Sequence, residues 1–294
     1  MLRRSQRSPS KPDSRYCAEA PACRTGRGAG RRGGASASAG HRPPAVAGIF
    51  YPESRQALAD LLDHLAPQVP KKEKAVAVVV PHGSYFSCGR VMADLYGRLV
   101  LPPVAVIVGP NHSGIGERLS IASDSDWDTP LGPVPVDREL ARAILKSVPE
   151  LKRDAPAHQH EHAAEVQLPF LQRWGKIRSF VPLAMGAVDL ETARSVGRGV
   201  AEAVRRVGRE ALLIASSDLT RYEPRERAQP QDRRLMDRIL DLDEEGLMET
   251  VLQEGSSICG APAVAAVLTA AKGLGASRAS LVKYEVGYAG LLVQ

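Results

Sequence analysis

The sequence predicts an α/β fold, in which one domain has a mostly parallel sheet covered by helices on both faces. After residue 45, short apolar runs alternate with longer stretches of helical periodicity. Runs such as residues 76–80 and 212–215 are apolar throughout, as expected of strands buried on both faces. No Gly-, Pro- or Ser-rich linker divides the sequence beyond residue 45. We therefore expect a single domain over residues 45–294.

Each element follows from these patterns. The apolar runs predict strands at residues 75–80, 104–109, 118–123, 178–184, 211–216, 281–286 and 288–293. Helical periodicity predicts helices at residues 54–66, 88–99, 137–147, 161–174, 189–207, 230–241, 243–253 and 261–273. Ser54 and Asp137 precede two of these helices and have side chains that commonly cap a helix N-terminus.

The first 42 residues differ from the rest in composition. The chain of 294 residues has a net charge of +6, but residues 1–42 carry nine Arg and one Lys against two acidic residues. That segment therefore holds +8, and the remainder holds the difference, −2. We expect residues 1–42 to form a disordered basic tail that binds polyanions weakly, and we expect no nucleic-acid binding by the domain.

The remaining composition points to a cytoplasmic protein. Four cysteines in so long a chain do not suggest a disulfide framework, which favours a reducing compartment. No window approaches the ~18 apolar residues of a membrane helix, and the N-terminus lacks the apolar run of a secretory signal.

Two histidines directly follow predicted apolar strands. His82 follows the first strand in the sequence PHG, and His112 follows the second in the sequence GPNH. Ligands bind in the crevice at the carboxyl ends of the strands in an open α/β sheet. If these two strands are neighbours, both imidazoles lie in one crevice.

One cysteine has a comparable setting. Cys259 lies in the sequence SSICG, just before a predicted alanine-rich helix. A helix N-terminus and a nearby cation both lower the pKa of a thiol, which favours a thiolate ligand. Together with His82 and His112 it makes a three-ligand mononuclear site with an open position. Cys88, at the start of another helix, is assigned to packing.

A histidine-rich segment and an aspartate supply further candidates. His158 and His160 are expected in an exposed loop. His162 and Glu165 are three residues apart at a predicted helix start, so they share one face and are candidate catalytic residues. Asp218 follows the strand at 211–216, where its carboxylate either orients a ligating imidazole or caps a turn.

The order of these motifs resembles the MEMO1 family, whose bacterial and archaeal members are called AmmeMemoRadiSam system protein B. The resemblance runs from about residue 45 to the C-terminus. The matching segments are AGIFYP at 47–52, PHGSY at 81–85, CG at 88–89, GPNH at 109–112, EH at 161–162 with Glu165, LPF at 168–170, SSDL at 216–219 and ICG at 258–260.

The resemblance implies a fold like that of class III extradiol dioxygenases, with a mixed, mostly parallel sheet between helices. It also implies a metal site of His82, His112 and Cys259, in which a thiolate stands where the dioxygenases have a carboxylate. The family's other site residues correspond to His162 and Asp218. The family further implies a link to a radical SAM and AMMECR1-like system.

One position departs from the family pattern. The family commonly has a histidine three residues after the SSD aspartate, where this chain has Arg221. A guanidinium cannot act as a general base near neutral pH, but it can hold an anionic substrate through a bidentate contact. Arg221, with Tyr85 and Asn111 beside the two histidines, is therefore a candidate substrate contact.

Three functions follow from these residues. The first is a mononuclear metalloprotein with redox or oxygen-dependent chemistry, and as an enzyme it would be a dioxygenase-like non-haem oxidoreductase. Its cofactor is one transition metal ion: the dioxygenase-like resemblance favours Fe(II), the softer thiolate set shifts the preference toward Cu(I), and Zn is possible. The second is a non-catalytic scaffold that holds a peptide or partner in the same cleft. The third is a metal-dependent hydrolase in which His162 or Glu165 is the base.

Overall fold

A computed structural model describes residues 40–68 and 72–294. Its strands are β1 (Gly40–Arg42), β2 (Ala77–Val80), β3 (Val104–Pro110), β4 (Leu119–Ile121), β5 (Ser125–Thr129), β6 (Gly132–Val134), β7 (Lys152–Arg153), β8 (Ser179–Met185), β9 (Ala211–Ser216), β10 (Ala279–Glu285) and β11 (Tyr288–Val293). Its α-helices are α1 (Arg55–Leu65), α2 (Tyr85–Gly97), α3 (Arg138–Ser147), α4 (Pro156–Gln159), α5 (Leu168–Phe170), α6 (Leu190–Val207), α7 (Arg225–Leu240), α8 (Glu244–Glu254) and α9 (Ala261–Gly273).

The main sheet is mixed, as the sequence predicts. Its strand order is β10-β11-β2-β9-β3-β8-β4-β7. The four central strands β2, β9, β3 and β8 are parallel, whereas β11 and β4 pair antiparallel with the two ends of this group. A smaller sheet of order β1-β5-β6 packs beside it.

β2 and β3 are not adjacent in the main sheet. β9 lies between them and pairs with both. Periodicity identifies a strand but carries no information about which strand it pairs with. The segment Ser216–Asp218 at the end of β9 therefore lies between the loops that carry His82 and His112.

Helices bury both faces of the main sheet. Val79 and Val106 point into one core with α3, α6, α8 and α9. Val78 and Ile107 point into a second core with α1, α2 and the small sheet. Burial on both faces is the physical reason that these strands lack the alternation of a half-exposed sheet.

Most predicted strands and helices match the observed ones to within three residues, but α7 begins five residues before the helix predicted at 230–241, and β1, β5, β6, β7 and α4 have no predicted counterpart. Ser54 and Asp137 cap α1 and α3 through hydrogen bonds to the backbone, as predicted. The predicted helix at 161–174 is wrong, because this stretch consists of a 3-10 turn (Glu165–Gln167), the short α5 and a π-helical turn (Leu171–Gly175).

The boundary of the predicted tail needs correction. Residues 40–42 form β1, parallel to β5, and Arg42 is buried. The disorder predicted for residues 1–39 falls outside the described residues. Within the described part of the chain, none of the helices has the length and apolarity needed to span a bilayer.

Candidate metal centre

The carboxyl ends of β2, β9 and β3 meet at one edge of the main sheet, because the three strands are parallel and adjacent. The loops after these strands carry His82, Asp218 and His112. Cys259 comes to the same edge from the segment before α9, where its Sγ accepts a hydrogen bond from the backbone N–H of Asp218 at 3.3 Å. The fold thus assembles a site in the crevice where α/β sheets usually bind ligands.

Three atoms able to bind a metal converge in this crevice. One ligand atom from each of His82, His112 and Cys259 lies within 4.8 Å of the other two. The Sγ of Cys259 is 3.2 Å from Nε2 of His82, and the two imidazole rings are 5.0 Å apart between centroids. The structure therefore brings together the three residues that the sequence suggests as metal ligands.

The ring of His82 is held by a serine hydroxyl. Nδ1 of His82 lies 3.1 Å from the Oγ of Ser216. This hydroxyl donates its own proton to the carbonyl oxygen of Ala163 at 2.7 Å, so it accepts from His82. Nδ1 therefore carries a proton, and Nε2 is the atom that faces Cys259.

The ring of His112 is held by a carboxylate. Its Nδ1 donates to Oε1 of Glu161 at 3.0 Å, and its backbone N–H donates to Oε2 at 2.7 Å. The backbone N–H groups of His162 and Ala163 also donate to Oε1, both at 2.8 Å. Burial raises the pKa of Glu161, but His112 and these hydrogen bonds lower it more, to about 2. Glu161 is thus an anion that holds Nδ1 of His112, while Nε2 faces Cys259.

The environment of Cys259 favours the thiolate. Burial raises the pKa of this thiol, but the charge of His82 and the hydrogen bonds from His112 and His82 outweigh burial. Together they lower the pKa to about 6. The chain approaches closely here, since a Cβ on Gly260 would lie 2.7 Å from Cβ of Ser217. Glycine after the cysteine therefore allows Cys259 to lie against the loop that follows β9.

His162 lies against the two other histidines. Its ring stacks on that of His112 at 4.7 Å with an interplanar angle of 10°, and it meets His82 edge-on at 5.4 Å. Phe50 covers another side at 4.7 Å. Burial lowers the pKa of His162 to about 4, with the positive charge of its histidine neighbours acting in the same direction. At neutral pH this imidazole is uncharged, and the lowered pKa makes it a weak base.

Asp218 and Arg221 form the polar side of the crevice. Asp218 is fully buried, and its Oδ1 accepts a hydrogen bond from the backbone N–H of His82 at 2.8 Å. Its Oδ2 has no hydrogen-bond partner among the described residues and lies 3.6 Å from Nη1 of Arg221. Arg221 is thus partly neutralised by Asp218, which orients the loop of His82.

The structure places Glu165 away from the role predicted for it. Its carboxylate accepts hydrogen bonds from Arg42 at 2.6 Å, from the hydroxyl of Tyr51 at 2.7 Å and from the backbone N–H groups of Ala45 and Val46. These contacts occupy both oxygens and tie residues 42–51 to the domain. We therefore correct the expectation of a base at Glu165 to a structural anchor.

Two candidate substrate contacts also have structural partners. The buried Tyr85 donates its hydroxyl proton to the carbonyl oxygen of Val166 at 2.6 Å. Asn111 closes its own loop by donating to the carbonyl oxygen of Ile115 at 2.9 Å and accepting from the backbone of Gly114. Tyr85 is thus engaged with the backbone, whereas Arg221 lies beside the crevice and Asn111 lines the cleft next to it.

Other expectations divide between confirmed and wrong. Cys88 is fully buried with its Sγ 3.7 Å from the sulfur of Met92, so packing is its role. His160 is exposed as expected, but His158 is buried and its Nε2 lies 3.1 Å from the Oγ of Ser120. The exposed loop predicted for His158 is therefore wrong, because β4 and the small sheet cover this residue.

Glu161 and Tyr288 are among the residues at the site that the sequence did not predict. Glu161 appears above only in the matching segment EH at 161–162, although its position beside His162 could have indicated a partner for a ligating histidine. Tyr288 lies over the loop of His82, since a Cβ on Gly83 would be 3.3 Å from its ring. Nothing in the local pattern of β11 distinguishes Tyr288 from an ordinary strand residue.

The donor set fits a transition metal. Two imidazoles and a thiolate, each imidazole oriented through Nδ1, form the kind of three-ligand site that leaves a position for another molecule. The Cys259 thiol lies beside His112. Burial lowers the pKa of His112, but Cys259 and Glu161 outweigh burial and raise that pKa to about 9. A bound cation would replace protons in this arrangement.

Comparison with known proteins gives consistent results. A family model described as Memo-like protein matches residues 42–290. The MEMO1 family protein MK0963 from Methanopyrus kandleri is 40% identical over 257 residues, which cover 83% of this chain and 91% of that protein. A MEMO1 family protein from Methanosarcina mazei is 40% identical over 267 residues, covering 86% and 99%.

A solved structure supports the fold. The crystal structure of the uncharacterized protein JW3007 from Escherichia coli K12 superposes with a TM-score of 0.52 at 15% sequence identity. The match covers 75% of this chain and 100% of that chain. At this identity the likeness concerns the fold alone.

Proposed function

This chain belongs to the MEMO1 family, and we propose that His82, His112 and Cys259 hold a single transition-metal ion that takes part in redox or oxygen-dependent chemistry. The observation that carries the proposal is the orientation of the two rings. Ser216 and Glu161 engage both Nδ1 atoms, so both Nε2 atoms are available beside the Cys259 sulfur. Residues that only pack together have no need of two independently fixed ring orientations.

The sulfur ligand decides which metals suit the site. A thiolate with two imidazoles is softer than the two-histidine, one-carboxylate set of non-haem iron oxygenases. This softness favours Cu(I) and also suits Zn, whereas the redox or oxygen-dependent chemistry proposed here calls for Cu(I) or Fe(II), because Zn has no redox chemistry. When bound, the ion would supply an electrophilic or redox centre with an open position. A reducing, cytoplasmic setting fits this proposal, because the thiolate ligand must remain unoxidised.

The protein's own residues would handle protons and substrate around the centre. His162 is neutral and stacked on His112, and because its pKa is lowered to about 4 it would accept a hydrogen bond from a molecule in the crevice more readily than a proton. Asp218 holds the backbone of His82 and pairs with Arg221. Asp218 is buried, whereas Arg221 has a long, partly exposed side chain at the edge of the crevice. Arg221 could therefore move from Asp218 toward an anionic group.

A specific observation also favours the scaffold function. Two large aromatic side chains near the site are exposed, Phe86 at 78% and Tyr222 at 92%. They lie in the segments that follow His82 and Asp218. A partner protein could bind these exposed side chains through apolar contacts, and the family's link to a radical SAM and AMMECR1-like system suggests where such a partner would come from. Oxygen consumption with catechol-like substrates separates this function from the redox one.

Metal content tests the proposal. The protein is purified without a tag and without air, and its metals are measured by mass spectrometry for the wild type, Cys259→Ser and Cys88→Ala. We expect a single ion per chain in the wild type, loss of most of it in Cys259→Ser, and retention in Cys88→Ala, which removes a packing thiol. Full occupancy in Cys259→Ser would show that the thiolate is not a ligand.

A further inference from the structure

A cleft of about 460 Å³ opens beside the candidate metal centre. His112 and Cys259 form part of its wall. The other side chains that shape it are mainly apolar, and come from the end of β8, from α8 and from the segment before α9: Met185, Val188, Met248, Val251, Leu252 and Ile258.

The wall of this cleft carries little charge. Among the described residues that line it, none is Asp, Glu, Lys or Arg. A larger groove beside α7, of about 720 Å³, is different, since Glu226, Arg233 and Asp237 line it. The Asp218–Arg221 ion pair does not line this cleft. The centre therefore adjoins a charged pair and, separately, an apolar cleft.

An exposed leucine marks the open side of the cleft. Leu252 on α8 is 80% exposed although it lines the cleft. A molecule that lay between Leu252 and Met248 would remove this side chain from water without any movement of the backbone. Apolar side chains around a few convergent polar groups are the usual composition of a small-molecule site, and the volume is in the usual range.

We infer that the cleft receives the apolar arm of a small molecule whose polar head lies at the metal centre. The place of the head rests on the proposed function, whereas the apolar arm needs only the cleft. It assigns a specificity role to Met248 and Leu252, which would contact the arm, and it excludes substrates that are charged along their whole length.

The chain length of a metal-binding probe tests the arm. Methyl, n-butyl and n-hexyl isocyanide bind soft ions such as Fe(II) and Cu(I) through the same head group. In metal-loaded protein we expect affinity to rise about fourfold for each methylene that enters the cleft. Equal affinity for the three probes, with methyl isocyanide bound normally, would overturn the inference while leaving the metal centre intact.

Matched leucine variants locate the effect. Leu252→Asp places a charge in the cleft, whereas Leu281→Asp places one at another exposed leucine, on β10. We expect Leu252→Asp to abolish the preference for hexyl over methyl isocyanide. Leu281→Asp should keep the preference. The same loss in both variants would contradict the assignment of the cleft.

Methionine signals give a readout that does not need the metal. In protein labelled with ¹³C at the methionine methyl groups, n-hexyl isocyanide should shift the signals of Met185 and Met248. Met92, which is buried, and Met236, in the groove beside α7, serve as internal controls. If the protein binds no metal, the proposed function fails and these signals alone decide the inference. A shift confined to Met236, or no shift, overturns it.

Discussion

At the level of single residues, three histidines within five positions have three different environments. His158 is buried, His160 is exposed, and His162 stacks on a candidate ligand. Local sequence does not distinguish them, because burial depends on which distant elements cover each ring. The strand-end positions of His82 and His112 were predictable for the opposite reason, since a strand end fixes position at the sheet edge.

The burial of His158 predicts a pH dependence of stability. Burial, with the charge of Arg42 acting in the same direction, lowers the pKa of His158 from 6.5 to about 4. The unfolded chain therefore takes up this proton before the folded protein does. The contribution is complete above pH 6.5 and is lost as the pH falls toward 4, by ~1.4 kcal/mol per pH unit and about 3 kcal/mol in all.

Chemical denaturation at several pH values measures this loss. The free energy of unfolding of the wild type should fall between pH 6.5 and 4 more steeply than that of His158→Gln, which has no proton to gain. Parallel curves for the two proteins would show that His158 is not the residue responsible. His160→Gln, at an exposed position, should follow the wild type.

At the level of elements, the segment from α4 to α5 is irregular where the sequence predicts a helix. Glu161 accepts hydrogen bonds from the N–H groups of His162 and Ala163, which turns the chain before a regular helix can begin. The same turn aims Glu161 at His112 and Glu165 at Arg42. Apolar periodicity alone cannot reveal a segment whose backbone is organised by its own carboxylate.

These two glutamates provide a matched pair of variants. Glu161→Gln removes a charged acceptor of His112, so metal affinity should fall about 10–100-fold. Glu165→Gln leaves Arg42 without its counter-charge, so the free energy of unfolding should fall by about 3 kcal/mol while metal affinity stays the same. Competition with a chelator and chemical denaturation measure the two effects. Loss of metal affinity in Glu165→Gln alone would reverse the two roles.

At the level of the whole molecule, the order of the central strands makes the site. The apolar runs predict the strands themselves well, but they do not show that β9 lies between β2 and β3. This insertion puts the Ser216–Asp218 loop among the histidine loops, where Ser216 orients His82 and Asp218 holds its backbone. Strand pairing is set by contacts across the whole chain, so no local pattern could supply it.

At this edge of the sheet, different elements place a charged pair and an apolar cleft next to the candidate metal centre. Asp218 and Arg221 come from the loop after β9, whereas the apolar cleft comes from β8, α8 and the approach to α9. Residues distant in sequence thus give His82, His112 and Cys259 both charged and apolar neighbours. The three candidate ligands were predictable from strand and helix ends, but the asymmetry around them was not.

X-ray absorption spectroscopy of the metal-loaded protein tests the central claim most directly, because it reports the atoms bound to the ion. We predict a shell with two imidazole nitrogens and a sulfur, with separations of ~2.0–2.1 Å and ~2.3 Å for a zinc-like ion. Cys259→Ser should remove the sulfur contribution. A shell of nitrogen and oxygen without sulfur in the wild type would contradict a centre built from His82, His112 and Cys259.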